Sequence, residues 1–148
     1  MAQYRAKYFK IKELVHPSFI GTSENILWGL MDERLLRLLD AVRDKYGPCT
    51  VNANGLTDCG LRKMDSTTGA KFSAHKFGRA VDVHIRMIEV AAGKILDTTA
   101  RKNYKIREYN RVRESLMADP KFDALCFEHG ISWLHMDVMN REKRLFNP

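Results

Sequence analysis

The chain carries its most informative stretch, SAHKFGRAVD, at residues 73–82. Gly78 allows the chain to turn in the middle of this stretch. The alternating run AVDVHI, residues 80–85, then predicts a strand. His75 and Asp82 are too far apart to meet on one helix, but the turn lets His75 come to lie beside the strand that carries Asp82. The stretch therefore predicts a turn followed by a strand, with an imidazole and a carboxylate side by side.

A second informative stretch, WLHMD, lies at residues 133–137. If it forms a neighbouring strand, His135 and Asp137 share one face, because side chains alternate along a strand. His135 would then be a third ligand beside the first two, and Asp137 a carboxylate that orients it. Histidine nitrogen and aspartate oxygen are good zinc ligands, and a catalytic zinc site has three protein ligands and a water. Spacing alone leaves His84, on the same face as Asp82, as a rival ligand.

The rest of the chain predicts a mixed architecture. Residues 32–46 have an apolar face made by Leu35, Leu36, Leu38, Leu39 and Val42, which indicates an amphipathic helix. We predict helices over 32–46, 87–96 and 104–117, strands over 49–54, 80–85, 122–127 and 131–138, and a long loop over 54–71. These elements indicate an α+β fold, a small antiparallel sheet with helices packed on one side and the metal site on the sheet.

Composition limits the possible classes of protein. A chain of 148 residues is expected to form one domain, residues 1–148, and its 45% hydrophobic and 29% charged residues are ordinary for a globular protein. Its apolar runs are too short to span a bilayer, and its first residues show no secretory signal, so we expect synthesis in the cytoplasm. The net charge of +7 favours an anionic partner. An odd number of cysteines, Cys49, Cys59 and Cys126, favours reduced thiols.

The two motifs also carry a resemblance to a known family. The pattern S-x-H-x-x-G-x-A-x-D, followed later by W-x-H-x-D, resembles the zinc D-alanyl-D-alanine carboxypeptidases. That family includes the vancomycin-resistance D,D-dipeptidases and the L-alanyl-D-glutamate peptidases of phage endolysins. Every fixed position of the first motif is present. The stretch FKIKELVHP at residues 9–17, the helix around 35–46 and the segment Gly60-Leu61-Arg62 also resemble the small phage-type members, so the likeness covers nearly the whole chain.

The resemblance implies a function and a set of site residues. Its zinc ligands would be His75, Asp82 and His135, and Arg62 would steady substrate or oxyanion charge, although Cys59 replaces a serine of that segment. The implied activity is zinc-dependent hydrolysis of a peptide bond in peptidoglycan stem peptides or cross-links. We expect a monomer that acts on the bacterial cell wall, after release or as part of a virion, in a lytic or wall-remodelling role.

One position departs from the family pattern. Many members carry a glutamate or aspartate three residues before the last histidine ligand, where it acts as general base, and this chain has Ser132 there. A serine hydroxyl does not accept a proton from water at neutral pH. Glu128, His129 and Asp137 are the alternatives. We favour Glu128, because the turn at Gly130 would fold its carboxylate back over the metal.

Two other functions compete with the enzyme. Ser132 supports a non-catalytic, zinc-bearing module that binds the cell wall or serves in a virion. The net charge and the basic helix around residues 101–113 suggest nucleic-acid binding, with Arg101, Lys105, Tyr109 and Arg113 along one face. A solvated helix surface explains that face more simply, so we do not expect a nucleic-acid partner.

Overall fold

The computed structural model describes residues 3–148 of the chain, and these residues form helices and short strands in an α+β arrangement. Their four α-helices are α1 (Glu24–Leu30), α2 (Glu33–Tyr46), α3 (Arg86–Gly93) and α4 (Thr98–Ala118). Their five strands are β1 (Cys49–Thr50), β2 (Ala80–Ile85), β3 (Cys126–Glu128), β4 (Leu134–Asp137) and β5 (Leu145–Phe146). Short 3-10 helices lie at Ile11–Glu13, Pro17–Phe19, Ala74–Phe77 and Pro120–Phe122.

The five strands form one sheet in the order β1-β2-β4-β3-β5. The pairs β1–β2, β2–β4 and β3–β4 are antiparallel, as the sequence predicts. The fourth pair, β3–β5, is parallel, so the sheet is mixed at one edge. The predicted α+β class is confirmed.

One face of the sheet belongs to the hydrophobic core. Val81 and Val83 of β2, Phe127 of β3, and Leu134 and Met136 of β4 are all fully buried there. Helix α3 packs against β2 and helix α4 against β4. Because side chains alternate along a strand, the residues between these apolar ones point to the opposite face. That face carries the polar side chains of both motifs.

Helix α2 follows its sequence pattern closely. The Asp32 side chain accepts a hydrogen bond from the Arg34 N–H at the start of the helix, and Gly47 ends it with a φ of 81°. Four of the five predicted apolar positions are fully buried, and the fifth, Leu38, is partly buried against the core. The amphipathic pattern therefore located this helix within one residue of its observed start.

The basic stripe of helix α4 was interpreted either as a solvated surface or as a nucleic-acid-binding surface, and its second half fits neither interpretation. Tyr109 and Arg113 are 0% and 1% exposed. The Arg113 guanidinium donates hydrogen bonds to the carbonyls of Ile131 and Trp133, and so holds the segment that leads into β4. Burial lowers the pKa of Arg113 to about 10. The second half of this stripe is thus packed against the protein and is neither a solvated nor a nucleic-acid-facing surface.

The predicted boundaries differ from the observed ones mainly where the chain makes short turns. The strands predicted over 49–54, 122–127 and 131–138 are shorter in the structure, and the helix predicted from residue 104 begins at Thr98, where the Asp97 side chain caps it. Helix α1 and strand β5 were not predicted. Residues 54–71 contain no helix and no strand of the sheet, as predicted. Over residues 3–148, every helix is too short or too polar to cross a bilayer.

Candidate metal centre

Three side chains meet on the polar face of the sheet. One ligand atom from each of His75, Asp82 and His135 lies within 4.8 Å of the others. The Asp82 Oδ1 atom is 3.3 Å from His75 Nε2 and 2.9 Å from His135 Nδ1. The three residues are 2%, 7% and 6% exposed. The structure therefore brings together the three residues that the motifs predict as ligands. We call His75, Asp82 and His135 the metal group.

The register of the sheet aligns two of these ligands and a further carboxylate. Asp82 of β2 pairs directly with His135 of β4. On the other side of β4, Cys126 pairs with Asp137 and Phe127 with Met136. Continuing that antiparallel register by one residue places Glu128 opposite His135. Asp82, His135 and Glu128 therefore form one row across three strands.

His75 reaches this row from the short 3-10 helix before β2. Ser73 caps that helix by accepting a hydrogen bond from the His75 N–H. Gly78 ends it with a φ of 65°, and a Cβ atom there would lie 1.9 Å from the carbonyl oxygen of Leu30. Only glycine suits both the left-handed backbone and the close approach. The predicted turn at Gly78 is confirmed, and it places His75 beside Asp82.

The segment from Cys59 to Arg62 supports both ligands of the first motif. The Gly60 carbonyl accepts a hydrogen bond from His75 Nδ1, and the Cys59 carbonyl accepts one from the Asp82 N–H. The Arg62 N–H donates to the His75 carbonyl. This segment thus fixes His75 and Asp82 through the backbone, which side-chain patterns in the sequence do not reveal.

Hydrogen bonds also decide which histidine nitrogens are free for a metal. His75 Nδ1 lies 3.0 Å from the Gly60 carbonyl, which only accepts, so this nitrogen carries the proton. His135 Nε2 lies 3.0 Å from Asp137 Oδ2 and donates to that carboxylate. The remaining nitrogens, His75 Nε2 and His135 Nδ1, are the two that face Asp82. Carbonyl and carboxylate partners of this kind orient metal-binding histidines in proteins.

Asp137 lies behind His135 and is fully buried. Its Oδ2 atom accepts hydrogen bonds from His135 Nε2 and from Arg141 Nε, each at 3.0 Å, and its Oδ1 atom accepts one from the Met139 N–H. Sequence spacing had predicted an orienting role for Asp137, and these are the contacts that such a role requires. Its carboxylate oxygens are occupied by these partners.

The imidazoles and carboxylates of this cluster shift one another's pKa values. Burial acts to lower the pKa of His135, but hydrogen bonds to Asp137 and Asp82 outweigh it and raise that pKa to about 9. Burial acts to raise the pKa of Asp82, but hydrogen bonds from His135 and His75 hold it well below its usual range. The pKa of Asp137 is lowered against burial by His135 as well. Both carboxylates are therefore ionised at neutral pH and attract a cation.

Arg62 is buried beside the ligands. Its Nη2 atom is 3.3 Å from Asp82 Oδ2, its Nε atom donates to the Asp58 carbonyl, and its Nη1 atom donates to the Thr68 carbonyl. The guanidinium thus ties the loop over residues 58–68 to a ligand carboxylate. Three of its five N–H groups are engaged in this way, which leaves two without a hydrogen bond to residues 3–148.

A cavity of about 600 Å³ opens over the three ligands, and Arg62, Trp133, Arg141 and Phe146 contribute to its walls. The Glu128 side chain also lines it, with Oε2 3.9 Å from His135 Nδ1. Of the alternatives to Glu128, His129 is exposed in the turn after β3 and Asp137 is held behind His135. Glu128 is thus the candidate base whose carboxylate faces both cavity and metal group.

The rival ligand His84 lies apart from the metal group. Its Nδ1 atom is 3.5 Å from Glu89 Oε1, and its Nε2 atom is 3.9 Å from Cys59 Sγ. Cys59 is buried, and burial raises the pKa of its thiol to about 11, so it is held as a thiol. His84 shares the face of Asp82 but is directed to neighbours further along the strand.

Sequence reasoning missed Arg141 and Phe146. The Arg141 guanidinium stacks over the Phe146 ring, 4.0 Å from its centroid, while its Nε atom holds Asp137. The Phe146 ring also packs edge-on against His135. Neither residue belongs to a motif, and the two-residue strand β5 that carries Phe146 is too short to give an alternating pattern.

Comparison of the chain with protein-family models, with curated proteins and with solved structures found no match.

Proposed function

We propose that this chain is a zinc-dependent peptidase that hydrolyses a peptide bond in bacterial peptidoglycan stem peptides or cross-links. The observation that carries the proposal is the row of Asp82, His135 and Glu128 with His75 beside it. His75, Asp82 and His135 would supply the metal ligands. Glu128 would supply a carboxylate that lines the same cavity. This combination is what metal-assisted hydrolysis of an amide requires.

The donor set fits zinc. Two imidazole nitrogens, neutral once metal binding displaces the proton of His135, and one carboxylate oxygen are ligands that zinc accepts. Three protein ligands leave a fourth position for water. With bonds of about 2.0–2.1 Å, ligand atoms of a tetrahedral zinc lie about 3.3 Å apart, close to the separations of 2.9 and 3.3 Å from Asp82 Oδ1. When bound, Zn²⁺ lowers the pKa of a coordinated water toward about 7 and polarises the scissile carbonyl.

Glu128 would act as the general base. It would take a proton from the attacking water while the new C–O bond forms, and then give that proton to the leaving amine as the C–N bond breaks. The side chain is 20% exposed, so it reaches the cavity and is only partly solvated. Glu128 would thus take over the role that a carboxylate at the position of Ser132 has in the family that the chain resembles.

Arg62 would offset negative charge on the reacting carbonyl oxygen, as the resemblance implies. Its two uncommitted N–H groups support this role. Its contact with Asp82 gives it a second one, because the same guanidinium holds a ligand carboxylate in place. Loss of Arg62 is therefore expected to weaken metal binding as well as turnover.

The substrate class follows from the resemblance and from charge. Peptidoglycan stem peptides are short, contain D-residues and carry free carboxylates. A chain of net charge +7, with Arg62 and Arg141 in the walls of the metal cavity, suits such an anionic substrate. The second candidate, a zinc-bearing module that binds the wall without cutting it, rests on Ser132. The carboxylate of Glu128 beside His135 favours the enzyme over this module.

The test combines metal analysis with product analysis. Zinc-loaded protein is incubated with purified peptidoglycan, with and without a chelator, and released fragments are identified by mass spectrometry. We expect new amino and carboxyl termini from one type of peptide bond, and their loss with chelator. Glu128→Gln should keep zinc and reduce cleavage by roughly a hundredfold or more.

The matched control is Glu114→Gln, at an exposed position on α4 away from the cavity, which should cleave at the wild-type rate. Cleavage by Glu128→Gln at the wild-type rate would place the base elsewhere. Binding to peptidoglycan without release of any fragment would replace the enzyme with the non-catalytic module.

A further inference from the structure

Three neighbouring cavities lie along β2, and we call them together the cleft; the metal cavity is one of them. It shares Arg62, Asp82 and Trp133 with a middle cavity of about 370 Å³. The middle cavity in turn shares Leu56 and His84 with a third cavity of about 710 Å³. Because each cavity shares lining residues with the next, the three follow one another along β2 and the start of α3.

The length of this cleft is set by β2 and the first residue of α3. Asp82, His84 and Arg86 follow one another at two-residue steps, and each line a successive part of the cleft. A strand rises about 3.3 Å per residue, so Arg86 lies on the order of 13 Å from Asp82 along the chain. That distance accommodates about four residues of an extended peptide.

The two acidic side chains at the far end already have hydrogen-bond partners. Glu89 accepts a hydrogen bond from the Tyr109 hydroxyl and pairs with Lys105 at 2.9 Å. Burial acts to raise the pKa of Glu89, but hydrogen bonds from His84, Lys105 and Tyr109 lower it to about 2. The other carboxylate, Glu13, accepts a hydrogen bond from a backbone N–H. Lys105 therefore offsets the charge of Glu89.

Arg86 also lies at this end of the cleft. Its side chain is exposed and makes no hydrogen bond or ion pair with the part of the chain that the structure describes, although its backbone N–H is held by the Pro48 carbonyl. Lys105 lies in the same cavity. A guanidinium with free N–H groups pairs best with a carboxylate, which it binds through two parallel hydrogen bonds.

We infer that the far end of the cleft, at Arg86, is a second binding site that takes a carboxylate of an extended peptide whose scissile bond lies over the metal group. This inference rests on the proposed peptidase function. It makes the protein selective for peptides that extend several residues beyond the cleaved bond and carry an acidic group there. Dipeptides and amidated peptides are poorer substrates because they leave Arg86 unpaired.

The test compares two synthetic stem pentapeptides that differ only in whether their internal carboxylates are free or amidated. Arg86→Ala should raise KM for the free-acid peptide about tenfold, the scale of one lost charge-assisted hydrogen bond, and leave kcat unchanged. It should leave KM for the amidated peptide unchanged. Arg86→Glu should make the amidated peptide the better substrate. Arg107→Ala, at an exposed position of α4 outside the cleft, is the matched control.

Binding is measured separately from turnover, by calorimetry of both peptides with Glu128→Gln protein and with the same protein carrying Arg86→Ala. Weaker binding of the free-acid peptide alone supports the second site, even if the wild type cleaves neither peptide and the proposed hydrolysis fails. Equal binding of both peptides, or equal effects of Arg86→Ala on both, overturns the second site and leaves the proposed hydrolysis to be judged by cleavage.

Discussion

At the scale of single residues, the metal group is defined by which atom of each side chain is free. His75 and His135 each use one ring nitrogen to hold a carbonyl or carboxylate and turn the other toward Asp82. We expect about one zinc per chain. Replacing any of the three ligands with alanine should lower zinc occupancy strongly, because a three-ligand site loses much of its affinity when one ligand is removed.

Metal analysis of the purified variants checks this expectation. His84→Ala is the matched control, since His84 lies on the same strand face but contacts Glu89 and Cys59 instead of the metal group. It should retain full zinc. Full zinc in all three ligand variants would refute the assignment, and loss of zinc in His84→Ala would show that the ligand on this strand was misidentified.

Asp137 would act on a bound metal indirectly, through its hydrogen bond with His135. Its carboxylate fixes the ring of His135 through Nε2, and Arg141 fixes the carboxylate. Asp137→Asn keeps the size of the side chain but removes the charge, so we expect zinc affinity to fall by roughly 10- to 100-fold, the usual effect of losing such a partner. Competition with a chromophoric chelator measures this directly. An unchanged affinity would mean that packing alone orients His135.

At the scale of elements, the turn before β2 has the strictest requirement. Gly78 combines a φ of 65° with an approach so close that a Cβ would overlap the Leu30 carbonyl. Gly78→Ala should therefore lower the free energy of unfolding by more than the roughly 1–2 kcal/mol of a left-handed alanine. Because the same turn positions His75, zinc affinity should fall as well.

Denaturant unfolding and zinc titration of the same variant measure the two effects. Gly29→Ala is the matched control: it lies within α1, one residue from Leu30, and a Cβ there meets nothing within 4 Å. It should be neutral or stabilising by up to about 1 kcal/mol, since alanine favours a helix over glycine. Equal stability of the two variants would contradict the role given to Gly78.

At the scale of the whole molecule, the metal group joins parts of the chain that are distant in sequence. Its ligands come from residues 75, 82 and 135, and their supports from residues 60, 62, 137 and 141. A metal that binds only the folded chain stabilises it by about 2.7 kcal/mol at a hundred times its dissociation constant. For a chain of this size, zinc should raise the Tm by roughly 5–10 °C.

Differential scanning calorimetry with and without zinc checks this shift. The shift should vanish in His75→Ala, because that variant lacks the ligand contributed by the 3-10 helix. A Tm shift of the same size in wild type and His75→Ala would show that zinc acts at another site on the protein.

Much of this arrangement was determined by the sequence itself. The amphipathic pattern of α2, the alternation of β2 and the glycine at 78 are local signals, and each specifies its element because backbone preference and burial agree there. The motif residues His75, Asp82 and His135 were correctly predicted to converge. The order that holds them, a turn, a strand and a neighbouring strand, follows from those same local patterns.

Other features were decided only by the tertiary structure. The position of the Glu128 carboxylate beside His135 depends on the register between β3 and β4, a pairing set by the packing of the whole sheet. The stripe of α4 looked exposed because its residues are polar, yet Arg113 is buried where it meets two backbone carbonyls. Arg141 reaches Asp137 from outside any regular element. Local patterns report which face of an element is apolar, but which polar groups meet across the fold depends on contacts between distant segments.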